Sequence, residues 1–278
     1  MIKKMLLVFL CLSLILSIPA CKKKLPSSPD IPAVITPTVQ SITVTSNSDL
    51  LYIGESETFT ATATMSDGST KTVTGGAWSG DNPSVATVGA STGEVTIVGS
   101  GTVNISVAYN GKTGSKAIRG LPNYQGTWSG TYYILSCNAT GDFATMDFCS
   151  YLPPGTELPI ELNLVQDDDR VEGRFYLGDL GADTSGPVGT DGQLILAGAI
   201  QEGTATIEAA MSLQSVTPGE ITGNMNQIWR DAESIGSARI EANIQNLPRI
   251  STMAMPLRSV SRMLTPTLQD LMRALLRR

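Results

Sequence analysis

From residue 40 onward, apolar and polar residues alternate in short runs, the two-residue period of strands that bury one face. Ser41-Ile42-Thr43-Val44, Thr58-Phe59-Thr60-Ala61-Thr62-Ala63, Val85-Ala86-Thr87-Val88, Glu94-Val95-Thr96-Ile97-Val98 and Thr102-Val103-Asn104-Ile105-Ser106-Val107 follow this pattern. Asp67-Gly68, Gly75-Gly76 and Thr92-Gly93 separate them as turns. Six or seven short strands within residues 40–119 predict a β-sandwich. A second series fills residues 122–248, with eight strands predicted at 126–135, 158–166, 170–178, 185–190, 193–200, 204–213, 219–229 and 234–246. Sequential strands joined by short turns suit an up-and-down barrel, which leaves no sheet edge open. The predicted fold is therefore all-β: a sandwich followed by an eight-stranded antiparallel meander closed into a small barrel.

Along 158–164, 171–177 and 205–213 one face carries Ile160, Leu162, Leu164, Val171, Phe175, Leu177, Ala205, Ile207, Ala209, Met211 and Leu213. That face should line the barrel. Gly173, Ala205 and Ala209 are small, and the expectation drawn from them is an apolar cavity rather than a filled core. Trp78 and Phe59 should supply the large side chains of the sandwich core, because no cysteine lies between 22 and 136 to cross-link it. Gly93, Gly99 and Gly101 are expected at turns that need positive φ.

The first twenty residues differ in kind. Lys3 and Lys4 precede an apolar run from Met5 to Ile18, too short to span a bilayer comfortably and of the length of a secretion signal. The following Ile18-Pro19-Ala20-Cys21 resembles the bacterial lipobox, with proline as a departure. The resemblance implies a lipoprotein signal peptide over 1–20, lipidation of Cys21 and a membrane anchor in the cell envelope; the localisation expected is the outer membrane, facing the periplasm or the surface. Residues 21–39 contain Pro26, Pro29, Pro32, Pro37 and Lys22-Lys23-Lys24, with no apolar periodicity, and read as a tether.

Within 40–121, the order Ile53-Gly54-Glu55, Phe59-Thr60-Ala61-Thr62, Asp67-Gly68-Ser69, Trp78-Ser79, Asn82-Pro83-Ser84-Val85-Ala86-Thr87-Val88, Thr92-Gly93-Glu94-Val95 and Gly99-Ser100-Gly101-Thr102-Val103-Asn104-Ile105 resembles the bacterial Ig-like domain, group 2. The resemblance implies a spacer or presenting module. In 122–248, Gly126-Thr127-Trp128 and the hairpin Val171-Glu172-Gly173-Arg174-Phe175 resemble the start and second hairpin of lipocalin and avidin-like barrels. That resemblance implies that Trp128 plugs a closed barrel end. No ligand-gripping residues are recognisable after Trp128, so the ligand-binding residues are left unknown.

Charge and residue types narrow the chemistry. Residues 122–248 hold seventeen acidic and four basic side chains, a net −13, which repels phosphate and makes nucleic acid an unexpected partner. The chain has no histidine, which removes Ser-His-Asp and Cys-His catalysis and the commonest zinc sets. Cys137 and Cys149 are the cysteines left beyond the signal and Cys21, and in an oxidising compartment they are expected to form a disulfide. Asp167-Asp168-Asp169 reads as a solvated hairpin tip or, alternatively, a calcium cluster; Asp179, Asp183 and Asp191 read as loop residues. No cofactor, metal or catalytic residue is assigned.

The basic tail, 249–278, carries a net +5. Thr265 and Pro266 mark a helix start, after which Leu268, Leu271, Met272, Leu275 and Leu276 form a stripe. Two readings stand: a membrane-surface or partner helix, or a segment that docks on the acidic barrel or stays disordered. For the whole chain the expectation is a non-enzymatic, lipid-anchored envelope protein in which an Ig-like spacer presents a barrel that binds a small apolar ligand or a surface partner. The alternatives are a purely structural envelope protein and a carboxylate-dependent hydrolase.

Overall fold

The computed structural model describes residues 36–250. Cys21, the signal segment and the candidate helix after Thr265 lie outside the described residues.

Ten short strands build the first half: β1 (Val39–Thr45), β2 (Leu50–Tyr52), β3 (Ser56–Thr58), β4 (Thr60–Met65), β5 (Thr70–Thr72), β6 (Ala77–Gly80), β7 (Ala86–Val88), β8 (Glu94–Ile97), β9 (Gly101–Tyr109) and β10 (Lys112–Leu121). They pair as β1-β4-β5, β3-β8-β7 and β2-β10-β9-β6, with β2 parallel to β10. Alternation works as expected: Val103, Ile105 and Val107 on β9 face inward, as do Val95 and Ile97 on β8, and all are fully buried. Phe59 and Trp78 join them, at 2% and 8% exposure. Gly93 adopts φ +70°, and a Cβ there would lie 2.8 Å from the Trp78 ring. Gly101 is also at positive φ, at +132°. Gly99 is not; it is required instead because a Cβ would stand 2.3 Å from the carbonyl oxygen of Ser84.

The second half is a closed antiparallel barrel of eight strands in sequence order: β11 (Gly126–Ala139), β12 (Glu157–Asp167), β13 (Arg170–Leu177), β14 (Leu180–Pro187), β15 (Leu194–Glu202), β16 (Ala205–Thr217), β17 (Glu220–Asp231) and β18 (Ala238–Ile250). Closure comes from β18 pairing with β11 through two register shifts. The ladder between β14 and β15 is thin: one regular pair, Ser185 with Ala197, a Val188–Leu194 bridge, and a Thr184 Oγ1 donation to the Ala197 carbonyl at 3.0 Å.

Two positions differ from the sequence reading. The strand expected at 185–190 runs from 180 to 187, so Asp183 is on an outward strand position, 3.4 Å from Arg174, and not in a loop. Gly181 lies between the expected strands, yet it and Gly186 permit close packing: a Cβ on Gly186 would meet the Ile195 carbonyl oxygen at 1.6 Å. The last strand continues to Ile250, which makes Arg249 a barrel residue although its charge groups it with the tail.

The sandwich joins the barrel without a free linker. Leu50 and Leu121 belong to the apolar cluster of the barrel, and Arg119 on β10 forms a 2.8 Å ion pair with Asp169 in the β12–β13 turn. The strand directions put the turns at 168–169, 188–193 and 218–219 on the side of the sandwich. They put 140–156, 178–179, 203–204 and 232–237 at the far, distal end.

Candidate functional site

The barrel interior is the feature that the sequence singled out, and it is filled. All eleven apolar residues predicted to line it are at most 3% exposed. A void able to hold water would register as exposure on the side chains around it. The expected cavity is therefore corrected: at Gly173 a Cβ would lie 2.0 Å from the Asn163 carbonyl oxygen, so that glycine admits the neighbouring backbone, and aromatic rings from outside the strands close the barrel.

Those rings arrive at both ends. At the distal end the 140–156 segment folds inward as a plug. A short helix, α1 (Asp142–Thr145), and a 3-10 turn (Phe148–Ser150) carry Phe143 and Phe148, both 1% exposed. Phe148 lies 5.3 Å from Trp229 of β17 and 5.4 Å from Phe143, centroid to centroid. The plug is held twice. Cys149 is disulfide-bonded to Cys137 on β11, with Cα atoms 5.6 Å apart. Asp142 accepts a hydrogen bond from the Ile235 N–H through its carboxylate at 2.8 Å, while its own N–H donates to the Ile235 carbonyl at 2.8 Å.

At the end facing the sandwich, Trp128 is fully buried and its Nε1 donates to the Tyr124 carbonyl at 2.8 Å. Tyr124 is equally buried: its hydroxyl donates to the Gly192 carbonyl at 2.6 Å and accepts from the Ser215 N–H at 3.1 Å. Gln166 clamps the same corner, accepting from the Tyr124 N–H at 2.7 Å and donating to the Pro122 carbonyl at 3.2 Å. Burial pushes the Tyr124 pKa up to about 12. Arg249 covers the outside, its guanidinium 4.6 Å from the centroid of the Trp128 ring, and desolvation lowers its pKa.

Inside the barrel the polar groups are few. Gln227, 1% exposed, accepts from Trp229 Nε1 at 2.9 Å. The Tyr132 hydroxyl sits beside Gln227, near enough to feel its amide yet outside good hydrogen-bond geometry, and burial raises its pKa well above the ordinary tyrosine value. Such an arrangement packs and specifies a core; the titratable groups it contains are tyrosines held neutral.

The acidic candidates are dispersed. Asp169 pairs with Arg119, which holds its carboxyl below the usual range by hydrogen bonding. Asp191 caps its own turn, accepting from the Gln193 N–H at 3.0 Å. Among the described residues no three of His, Cys, Asp or Glu converge on a metal-sized point. Sequence periodicity did not identify Tyr124, Phe143, Phe148, Gln227 or Arg249; the apolar pair Phe143 and Phe148 inside an otherwise polar stretch between β11 and β12 was the available signal.

A cleft separates the sandwich from the proximal rim of the barrel. It has a volume of about 540 Å³ and is lined by Tyr52, Ile53, Val98, Val216, Pro218 and Arg249 among others.

No curated protein matches the chain. Among solved structures it is similar to domains 5-6 of the S-layer protein SbsC, at 15% identity over 74% of this chain and 98% of that one, with a TM-score of 0.27. It is also similar to a REP1-NXSQ fatty acid transporter, at 16% identity over 46% of this chain and 96% of that one, with a TM-score of 0.17. Residues 38–118 match the family model of the bacterial Ig-like domain (group 2), and the sandwich built by β1 to β10 is a domain of that family.

Proposed function

We propose that this chain is a non-enzymatic binding or adhesion protein of the bacterial envelope, anchored by lipid at Cys21, in which the Ig-like domain is the spacer and the outer surface of the barrel is the recognition element. The observation that carries this reading is the filled interior with both mouths closed, which moves recognition from the lumen to the exterior. Support for the distal end comes from Leu135, Tyr151 and Ile235, which are 53%, 60% and 80% exposed. Large exposed apolar side chains at the end opposite the spacer are the composition expected of a contact surface. The acidic exterior disfavours nucleic acid and other polyanions as partners.

The test is binding of the detergent-solubilised full chain to intact bacterial cells. The triple variant Leu135→Asp/Tyr151→Asp/Ile235→Asp, whose positions are exposed and outside the core, should lose most of that binding while keeping its thermal transition. Equal binding by the variant would remove the distal rim from the proposal. No binding by either protein would favour a purely structural envelope role, the reading that a filled barrel also supports.

A further inference from the structure

The cleft between sandwich and barrel joins three observations that the recognition reading does not use. Its apolar lining is exposed: Val98 on the sandwich side is 47% and Val216 on the barrel side 57% accessible, and Ile53 and Pro218 complete the walls. Valine side chains left in water at a domain junction are unfavourable by roughly 25 cal/mol per Å² of apolar surface that a partner could cover. The cleft has a volume of about 540 Å³.

The cleft is also acidic on one side. Glu55 lines it and accepts from the Tyr52 N–H at 2.8 Å. Burial raises the Tyr52 pKa, and the charges of Asp168, Glu55 and Asp167 raise it further; Asp169 of the same β12–β13 turn reaches the sandwich through its ion pair with Arg119.

The third observation is where the chain goes. Arg249 lines the cleft, and Ile250 ends β18 directly beside it. The 28 residues that follow, 251–278, carry five arginines and one aspartate. They begin Ser251-Thr252-Met253-Ala254-Met255-Pro256-Leu257-Arg258, in which Met253, Met255 and Leu257 alternate at the spacing that puts side chains on one face of an extended segment. Arg258 and Arg262 follow within five residues.

We propose that residues 251–262 of the same chain dock into this cleft, with Met253, Met255 and Leu257 covering Val98, Ile53, Val216 and Pro218, and with Arg258 and Arg262 facing Glu55, Asp167 and Asp168. Docking adjacent to the last strand requires little loop closure, so the entropic cost is small. Apolar cover and opposite charge come from the same twelve residues.

The experiment is tryptic cleavage of the full chain in detergent, followed by mass spectrometry of the Arg258–Ser259 and Arg262–Met263 bonds. Docking predicts that both bonds are cut at least tenfold more slowly than in Val98→Glu/Val216→Glu. The tail variant Met253→Ser/Met255→Ser/Leu257→Ser should show the same acceleration, and it cannot fail through misfolding of either domain because it alters neither. Protection should also weaken in 1 M salt, where the Debye length falls to about 3 Å. Equal cleavage rates in all three proteins would overturn the proposal. So would protection that grows with protein concentration, which would place the tail of a second copy in the cleft, or protection that requires anionic lipid vesicles, which would make the tail a membrane-surface segment.

Discussion

The Arg249 guanidinium lies over the ring of Trp128, 4.6 Å from its centroid, so a side chain of the last barrel strand seals the side chain that begins the first. Arg249 also donates to the Asn123 carbonyl, and its methylenes fill the space next to Gly126, where a Cβ would lie 3.3 Å from Arg249 Cδ. Closure of the ring, burial of the tryptophan and the approach of the linker therefore meet at one residue. Arg249→Ala should destabilise the barrel by about 1–2 kcal/mol, the range of a partly desolvated cation–π contact with its packing. Arg249→Lys, which keeps the charge and loses the planar group, should recover part of that loss in a denaturant titration. No change in either variant would show that Trp128 is sealed without it.

Reduction of the Cys137–Cys149 disulfide should release the distal plug before the barrel. A loop with a sequence separation of 12 gains about 2–3 kcal/mol from its cross-link. Thiol alkylation without reductant should label neither cysteine in the folded protein, and reductant should make the 140–156 segment the first site of proteolysis. Complete labelling of both cysteines without reductant would contradict the bond.

An apolar fluorescent probe should not bind the wild-type chain saturably, because Phe143 and Phe148 occupy the mouth of the barrel. Phe148→Ala should cost about 3–5 kcal/mol and leave an apolar void beside Trp229. Voids of that kind accept benzene-sized ligands in other proteins, so the variant should bind such a probe while the wild type does not. Saturable binding by the wild type would mean that the plug opens readily in solution.

The alkaline limb of stability should contain a component from Tyr124. Its folded pKa is pushed up to about 12 from an ordinary value of 10.0. Because the folded value is the higher, this stabilisation is fully present below about pH 10 and is lost as pH rises towards 12. Tyr124→Phe should lower stability at neutral pH by about 1–3 kcal/mol, since the Ser215 N–H and the Gly192 carbonyl lose their partner, and should remove that component of the alkaline decline. An unaltered pH profile in the variant would assign the decline to other groups.

In the sandwich, Trp78→Ala should cost about 3–5 kcal/mol, the range for emptying a buried aromatic site. A loss below about 1 kcal/mol would mean that Phe59 and Val95 close over the gap.

The strands were legible because each buries one face: Ile160, Leu162 and Leu164 alternate with Glu161 and Asn163, and the interior list read from that alternation is buried throughout. The filling of the barrel was not legible. Periodicity reports which side of a strand is apolar, but the side chains that fill the lumen come from Phe143 and Phe148 in the distal loop and from Tyr124 in the linker, where no period exists. The displacement of β14 has the same origin. Gly181 and Asp183 have the composition of a turn, and only the neighbouring strands show that Gly181 and Gly186 permit close contact. Arg119 with Asp169 and Arg249 with Trp128 are far apart in sequence, 50 and 121 positions, so no local window contains them.

The thin ladder between β14 and β15 sets where the ring comes apart. Seven of its eight seams are zipped by runs of paired residues, whereas this one rests on a single regular pair, the Val188–Leu194 bridge and a threonine hydroxyl. Amide hydrogens flanking Ser185 and Ala197 should thus exchange through excursions too small to melt the rest. Each such excursion turns a cylinder without edges into an open sheet with two, both glycine-bearing. The joint that lets eight strands close around so full a core is also the place where one molecule can begin to add to another.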